Sequence, residues 1–266
     1  MVFWAATGVV LVLNAGLIAL FSPYVIEAAR GESDRLAAAG RQAQGSEAQL
    51  DFELAHRLDP RNQTAALALA QRQLVAGQSD LAIQTLRAAG QGTEVLRLQL
   101  RTQLELGRTA DAAVTAGQLA ARSPSADDAQ LAGLAYLVAG QPQSLPSLVP
   151  RLAPPEAAQR LQAAQADNLA LGRELYATGL LQSSERLLMK QPSSTTRDVI
   201  LGTINAARAT PGSQATARDF YAAALQLDPT NRPARQGLIA TLRALKDDEA
   251  ADKQTALQAQ LDAGRP

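Results

Sequence analysis

An all-α solenoid of helix-turn-helix repeats, preceded by one transmembrane helix, is the fold this chain predicts, and three observations predict it. The stretch from Ala48 to Pro60 returns as Ala217 to Pro229, each matched position displaced by 169 residues, close to five units of roughly 34. The chain is 47% hydrophobic yet only 3% aromatic, as suits helices that bury alanine and leucine between neighbours rather than around a central core. Residues 1 to 26 carry no charged side chain.

Both copies of the repeat read Ala-x3-aromatic-x2-Ala-x2-Leu-Asp-Pro followed by x-Asn: Ala48, Phe52, Ala55, Leu58, Asp59, Pro60 and Asn62 against Ala217, Tyr221, Ala224, Leu227, Asp228, Pro229 and Asn231. At helical spacing the alanines, the aromatic and the leucine share one stripe, so the small residues admit a neighbouring helix closely and the ring fills the space beside them. Proline lacks an N–H and biases its predecessor out of the helical region, so Leu-Asp-Pro-x-Asn reads as a helix end, a turn and an N-cap for the next helix. This pattern resembles the tetratricopeptide repeat, whose second helix carries the same alanine, aromatic, alanine and closing proline. The resemblance implies a right-handed superhelix of helix pairs that binds protein partners in a concave groove lined by the first helix of each pair.

Composition narrows the function. With 25 Lys+Arg against 25 Asp+Glu the chain has no basic footprint for nucleic acid. It has no cysteine, which removes disulfides, zinc-thiolate sites and cysteine nucleophiles. His56, the single histidine, sits in the repeat helix and reads as an ordinary, partly exposed residue. No phosphate loop, nucleophile elbow, metal-spaced cluster or dinucleotide fingerprint appears, so no catalytic residue, metal, cofactor or small-molecule substrate is expected. Asp127-Asp128 and Asp247-Asp248 are adjacent carboxylates at helix starts, where acids meet the helix dipole favourably.

Val2 to Phe21 is nearly all apolar, and Trp4 and Tyr24 stand far enough apart to reach both interfaces of a bilayer core about 30 Å thick. A cleaved signal peptide fits less well, for want of a basic n-region and a small-x-small site. The expectation is an uncleaved single-pass anchor over 1–26 in the cell membrane, with residues 2–24 in the lipid. Arg30, Arg35 and Arg41 follow it, which the positive-inside rule reads as a cytoplasmic domain. They alternate with Glu27, Glu32 and Asp34, so charge leaves the side open. Gly8, Asn14, Ala15 and Ala19 fall on one face of the anchor and could pack a second transmembrane helix. Ser22-Pro23 reads as an N-cap and a proline at the first helical position.

From residue 27 to 266 the chain reads as helix pairs: roughly 29–40 with 46–58, 63–76 with 79–90, and 93–106 with 109–122, where Gly77 and Gly107 make the inter-helix turns. A helix over 127–139 ends at Gly140. Its partner would hold Pro142, Pro146, Pro150, Pro154 and Pro155, and interior prolines cost about 3 kcal/mol each in a helix, so 141–155 must be broken or single-turn structure. Residues 156–178 form one long helix or two, with Leu171-Gly172 followed by Gly179, and their partner is 182–190. Then come 197–208 with 214–227, turned at Pro211-Gly212, and 233–246 with a polar capping helix over 249–263.

If the resemblance holds, Gln71, Arg97, Arg101, Arg173 and Asn205 are the groove residues able to grip a partner. The family's carboxylate clamp uses lysines and asparagines, and Lys190, Lys246 and Lys253 are not placed to form one. The functional expectation is a non-catalytic, membrane-tethered scaffold or assembly factor holding a protein partner. The alternative is a structural subunit of a larger membrane complex, docked mainly through its transmembrane helix.

Overall fold

A computed structural model describes residues 23–43 and 45–264 of the chain. All regular structure among these residues is helical, and none of the described helices is long and apolar enough to cross a membrane. The expected anchor face of Gly8, Asn14, Ala15 and Ala19 lies outside the described residues, as does Ser22.

The chain divides into two compact units, Met1–Thr102 and Gln103–Pro266. The first holds α1 (23–42), α2 (Gly45–Leu58), α3 (Gln63–Val75), α4 (Ser79–Ala88) and most of α5 (Thr93–Glu105), whose last residues belong to the second. The second continues with α6 (Thr109–Arg122), α7 (Ala126–Val138), two 3-10 turns (Pro142–Ser147 and Val149–Arg151), α8 (Pro155–Ala166), α9 (Asn168–Ala177), α10 (Leu181–Leu188), α11 (Thr195–Ala207), α12 (Pro211–Leu227), α13 (Arg232–Ala244) and α14 (Asp248–Ala263). In the first unit α3 packs on both α2 and α4; in the second, α6 packs on α7, α9 on α8 and α10, α12 on α11 and α13, and α13 on α14.

One closure recurs where these helices turn. Gly77 (φ 75) donates to Leu74 O while the next amide, Gln78 N, reaches back to Gln73 O at 2.7 Å. Gly107 and Arg108, Gly140 and Gln141, and Gly179 and Leu180 make the same pair of bonds, which satisfy carbonyls that the helix end would otherwise leave bare. The motif needs a left-handed residue, and glycine supplies it without a Cβ clash. After α13 the position is filled by Lys246 at φ 62, whose amide donates to Arg243 O while Asp247 N donates to Leu242 O. An L-residue there costs about 1–2 kcal/mol, partly offset by the flexibility that glycine adds to the unfolded chain. Lys246→Gly is therefore expected to stabilise the protein by about 0.5–1 kcal/mol, read as a raised urea midpoint at unchanged slope.

Pro211-Gly212 is not the turn between α11 and α12. Pro211 is the first residue of α12, where its missing N–H costs nothing, and Thr210 caps the helix in a reciprocal box with Ser213. The left-handed residue of that turn is Ala209 (φ 54).

The two copies of the repeat fold alike. Ala55 and Ala224 are fully buried, and the rings of Phe52 and Tyr221 are 6% and 4% exposed. Asp59 accepts from Arg61 N and Asp228 from Thr230 N, each at 3.0 Å, so the same turn follows both helices. Asn62 then caps α3 by accepting from Ala65 N, and Asn231 caps α13 by accepting from Ala234 N. Each ring lies against glycine. A Cβ on Gly40 would come within 3.1 Å of the Phe52 ring, and Tyr221 is held between Gly202 and Gly237, where added Cβ atoms would fall 2.8 and 2.3 Å away.

The proline-rich stretch becomes the two 3-10 turns, pinned by Leu145, Leu148 and Leu152, all buried. Arg151 fastens it further: its guanidinium donates to Ala120 O at 2.7 Å and to Ser123 O, placing a cation on bare carbonyls at the end of α6. Residues 156–178 are two helices, because Asp167 leaves the helical region and caps α9 through Leu169 N and Ala170 N. Asp127 and Asp128 lie in the first turn of α7, as expected of acids at a helix start, and Asp128 is in addition completely buried and accepts from Ser123 Oγ at 2.5 Å.

Candidate functional site

The residues expected to grip a partner divide between the units. Gln71 is an exposed residue of α3 beside Phe52, Ala68 and Val75, which line a shallow hollow with it. Arg97 and Arg101 stand one turn apart on α5, both half-buried, while Gln99 and Leu100 between them are buried. Arg97 donates to Glu94 at 2.5 Å with its side chain 31% exposed, so a local ion pair already orients the guanidinium. The first unit thus offers two cations on one helical face, stiffened by the packing of Val95, Leu96 and Leu100 beneath it.

Arg173 and Asn205 belong to the second unit. Arg173 is exposed on α9. Asn205 is buried: its amide nitrogen donates to Leu201 O at 2.9 Å and to Glu185 Oε1 at 3.4 Å, and its oxygen accepts from Arg208. Arg208 also makes a two-pronged ion pair with Glu185. Asn205 therefore ties α11 to α10 and presents no polar atom to a partner.

A feature of the second unit has no counterpart in the sequence expectations. Glu105, at the end of α5, accepts from Gln182 N (2.8 Å) and Ser183 N (3.1 Å), the first free amides of α10. In return Ser183 Oγ donates to Leu104 O, and Arg186 donates to both Leu104 O and Glu105 O at 2.6 Å. Each helix end thus satisfies the other across some 80 residues of chain, with the carboxylate at a helix N-terminus and the guanidinium at a C-terminus, where each is favoured. Burial pushes the Glu105 carboxyl above its ordinary pKa, against those amide bonds and the Arg186 charge, which pull it down. An acid in the last turn of a helix, unfavourable there by dipole alone, was the available signal.

His56 is half-buried on α2, and its Nδ1 is buried without a hydrogen-bond partner. Burial holds the imidazole below its usual pKa, and Asp59 works weakly against this.

Comparison with protein-family models found no match to this chain, and comparison with curated proteins found no significant similarity.

Proposed function

We propose that this chain is a membrane-tethered, tetratricopeptide-like α-solenoid that holds an acidic or extended segment of a protein partner, without catalysis. The repeat reading is supported by the matched burial of Ala55 with Ala224 and Phe52 with Tyr221, by the shared Asp-turn and Asn-cap after each, and by the recurrent left-handed closure. The tether is supported by Tyr24, Val25 and Ile26, which are 71, 66 and 49% exposed and continue an uncharged run of sequence.

The observation that carries the functional reading is the pairing of Arg97 and Arg101 on one half-exposed face of a well-packed helix. Arginine offers a planar fork of donors that suits carboxylates and backbone carbonyls. Arg173, on the second unit, is a further candidate contact. Replacing Arg97 and Arg101 by Glu is expected to leave the helical circular dichroism unchanged and to lower stability by about 1 kcal/mol, since the Arg97–Glu94 pair is lost and acids then stand one turn apart. Recovery of a crosslinked partner from detergent extracts should fall at least about tenfold, and salt should weaken the wild-type association. Undiminished recovery in this variant, with loss on scrambling the Gly8/Asn14/Ala15/Ala19 face, would favour the membrane-subunit reading instead.

A further inference from the structure

In the second unit the proline-rich segment and α8 wall a pocket of ≈ 500 Å³, within the range of about 300–1,000 Å³ that encloses small molecules. The two 3-10 turns give one side, with Pro142, Leu145, Pro146, Val149 and Pro150. The other side is α8, with Ala158, Leu161, Gln162 and Gln165. Both sides rest on α7. A Cβ on Gly133 of α7 would come within 2.6 Å of Leu161 and 3.5 Å of Leu145, so the missing methyl lets both leucines sink toward α7 and leaves the space above them open.

Two properties of this wall select an occupant. The first is rigidity. Proline fixes its own φ, the turns are pinned by buried Leu145, Leu148 and Leu152, and Arg151 fastens their end to the carbonyls of α6, so little has to be ordered when a ligand enters. The second is the lack of charge. The charged residues between 126 and 166 are Asp127, Asp128, Arg151, Glu156 and Arg160, and none of them lines the pocket. Asp128 is turned to Ser123, Arg151 to α6, and Arg160 to Glu174 of α9 at 3.3 Å, while Asp127 and Glu156 belong to the first turns of α7 and α8. An ion entering here would lose hydration and find no counter-charge, a cost that a neutral molecule escapes. Gln143, Gln162 and Gln165 are exposed, which leaves neutral carboxamides at the rim. At about 1.5 Å per residue, Ala158 to Gln165 make a wall about 10 Å long, too short to seat a three-turn helix of about 16 Å.

We propose that this pocket binds a neutral, largely apolar small molecule, its body held between the proline wall and Leu161 and its polar end left at the glutamine rim. The site is separate from the arginine face of α5 and does not depend on that reading.

The test uses probes that share one photoactivatable body and differ in charge at about pH 7.5: 4-benzoylbenzamide is neutral, 4-benzoylbenzoate an anion and 4-(aminomethyl)benzophenone a cation. Irradiated with the full chain in nanodiscs, the amide should label peptides between Pro142 and Gln165 saturably, and each ion should need at least about tenfold higher concentration. Ala158→Phe fills the space and should abolish that labelling, whereas Ala163→Phe, exposed on the opposite face of α8, should leave it intact. Gln162→Glu, at an exposed position, puts a charge on the wall and should reverse the order, so that the cation labels better than the amide. This variant carries the test if Ala158→Phe unfolds. Labelling that never saturates, equal half-saturation by the three probes, or an unchanged order in Gln162→Glu would each overturn the proposal. So would displacement of the amide by acetyl-Leu-Pro-Leu-amide at about a tenth of the concentration at which benzanilide displaces it, because the occupant would then be a partner's segment.

Discussion

Gly237→Ala is expected to destabilise the second unit by about 2 kcal/mol, within the 1–3 kcal/mol typical of overpacking a filled site. The added methyl would lie 2.3 Å from Tyr221 Cζ. The ring has little room to move, since Gly202 also lies close against it, its hydroxyl bonds to Thr203 Oγ1 at 3.1 Å and the residue is 4% exposed. Alanine's better helix propensity returns at most about 1 kcal/mol and does not reverse the sign. The same substitution in a Tyr221→Leu background should cost much less, because the clash partner is gone. A double-mutant cycle by urea denaturation measures the coupling, and a coupling near zero would mean that these helices are not held at the distance set by that ring.

The second large effect is expected at the tie between α5 and α10. Glu105→Ala leaves Gln182 N and Ser183 N without their acceptor and exposes the bare end of α10, a loss comparable to removing a strong N-cap, about 1–2 kcal/mol. Glu105→Gln keeps an acceptor oxygen and removes the charge, so it should cost far less. Their pH dependence should differ in a defined sense. The folded-state pKa of Glu105 is raised, so its contribution is fully present below the unfolded value and is lost as pH rises through the folded value. Wild-type stability should therefore fall relative to Glu105→Gln over that rise. Parallel stability curves for the two proteins would show that folding does not raise the Glu105 pKa.

These contacts separate what the sequence makes legible from what it does not. Ala55 and Ala224 were readable as buried because a local period places them on one stripe with an aromatic. Gly77, Gly107, Gly140 and Gly179 were readable as turns because only a left-handed residue closes a helix in that way. The proline run was readable as broken structure, but its anchor, Arg151 on the α6 carbonyls, was not, since nothing local distinguishes a structural arginine from a solvated one. The tie from Glu105 to α10 joins residues too far apart in sequence for any period to report. Asn205 illustrates the opposite failure. Its polarity suggested an outward position, whereas three hydrogen bonds within its own unit make burial affordable. Asp167, which splits 156–178 into two helices, carries a capping signal that competes with good helix formers on both sides, so the sequence admitted either outcome.

The claim that a partner is held on the arginine face of α5 is tested most directly by crosslinking from that face. Because the chain has no cysteine, Gln91→Cys, exposed in the turn just before α5, would carry a photoactivatable label as its sole thiol and leave the Arg97–Glu94 pair in place. In native membranes the labelled full-length protein should yield a discrete adduct whose linked peptide is acidic, and Arg101→Glu should abolish it. Discrete adducts from a label at Ala15, with none from position 91, would contradict the account.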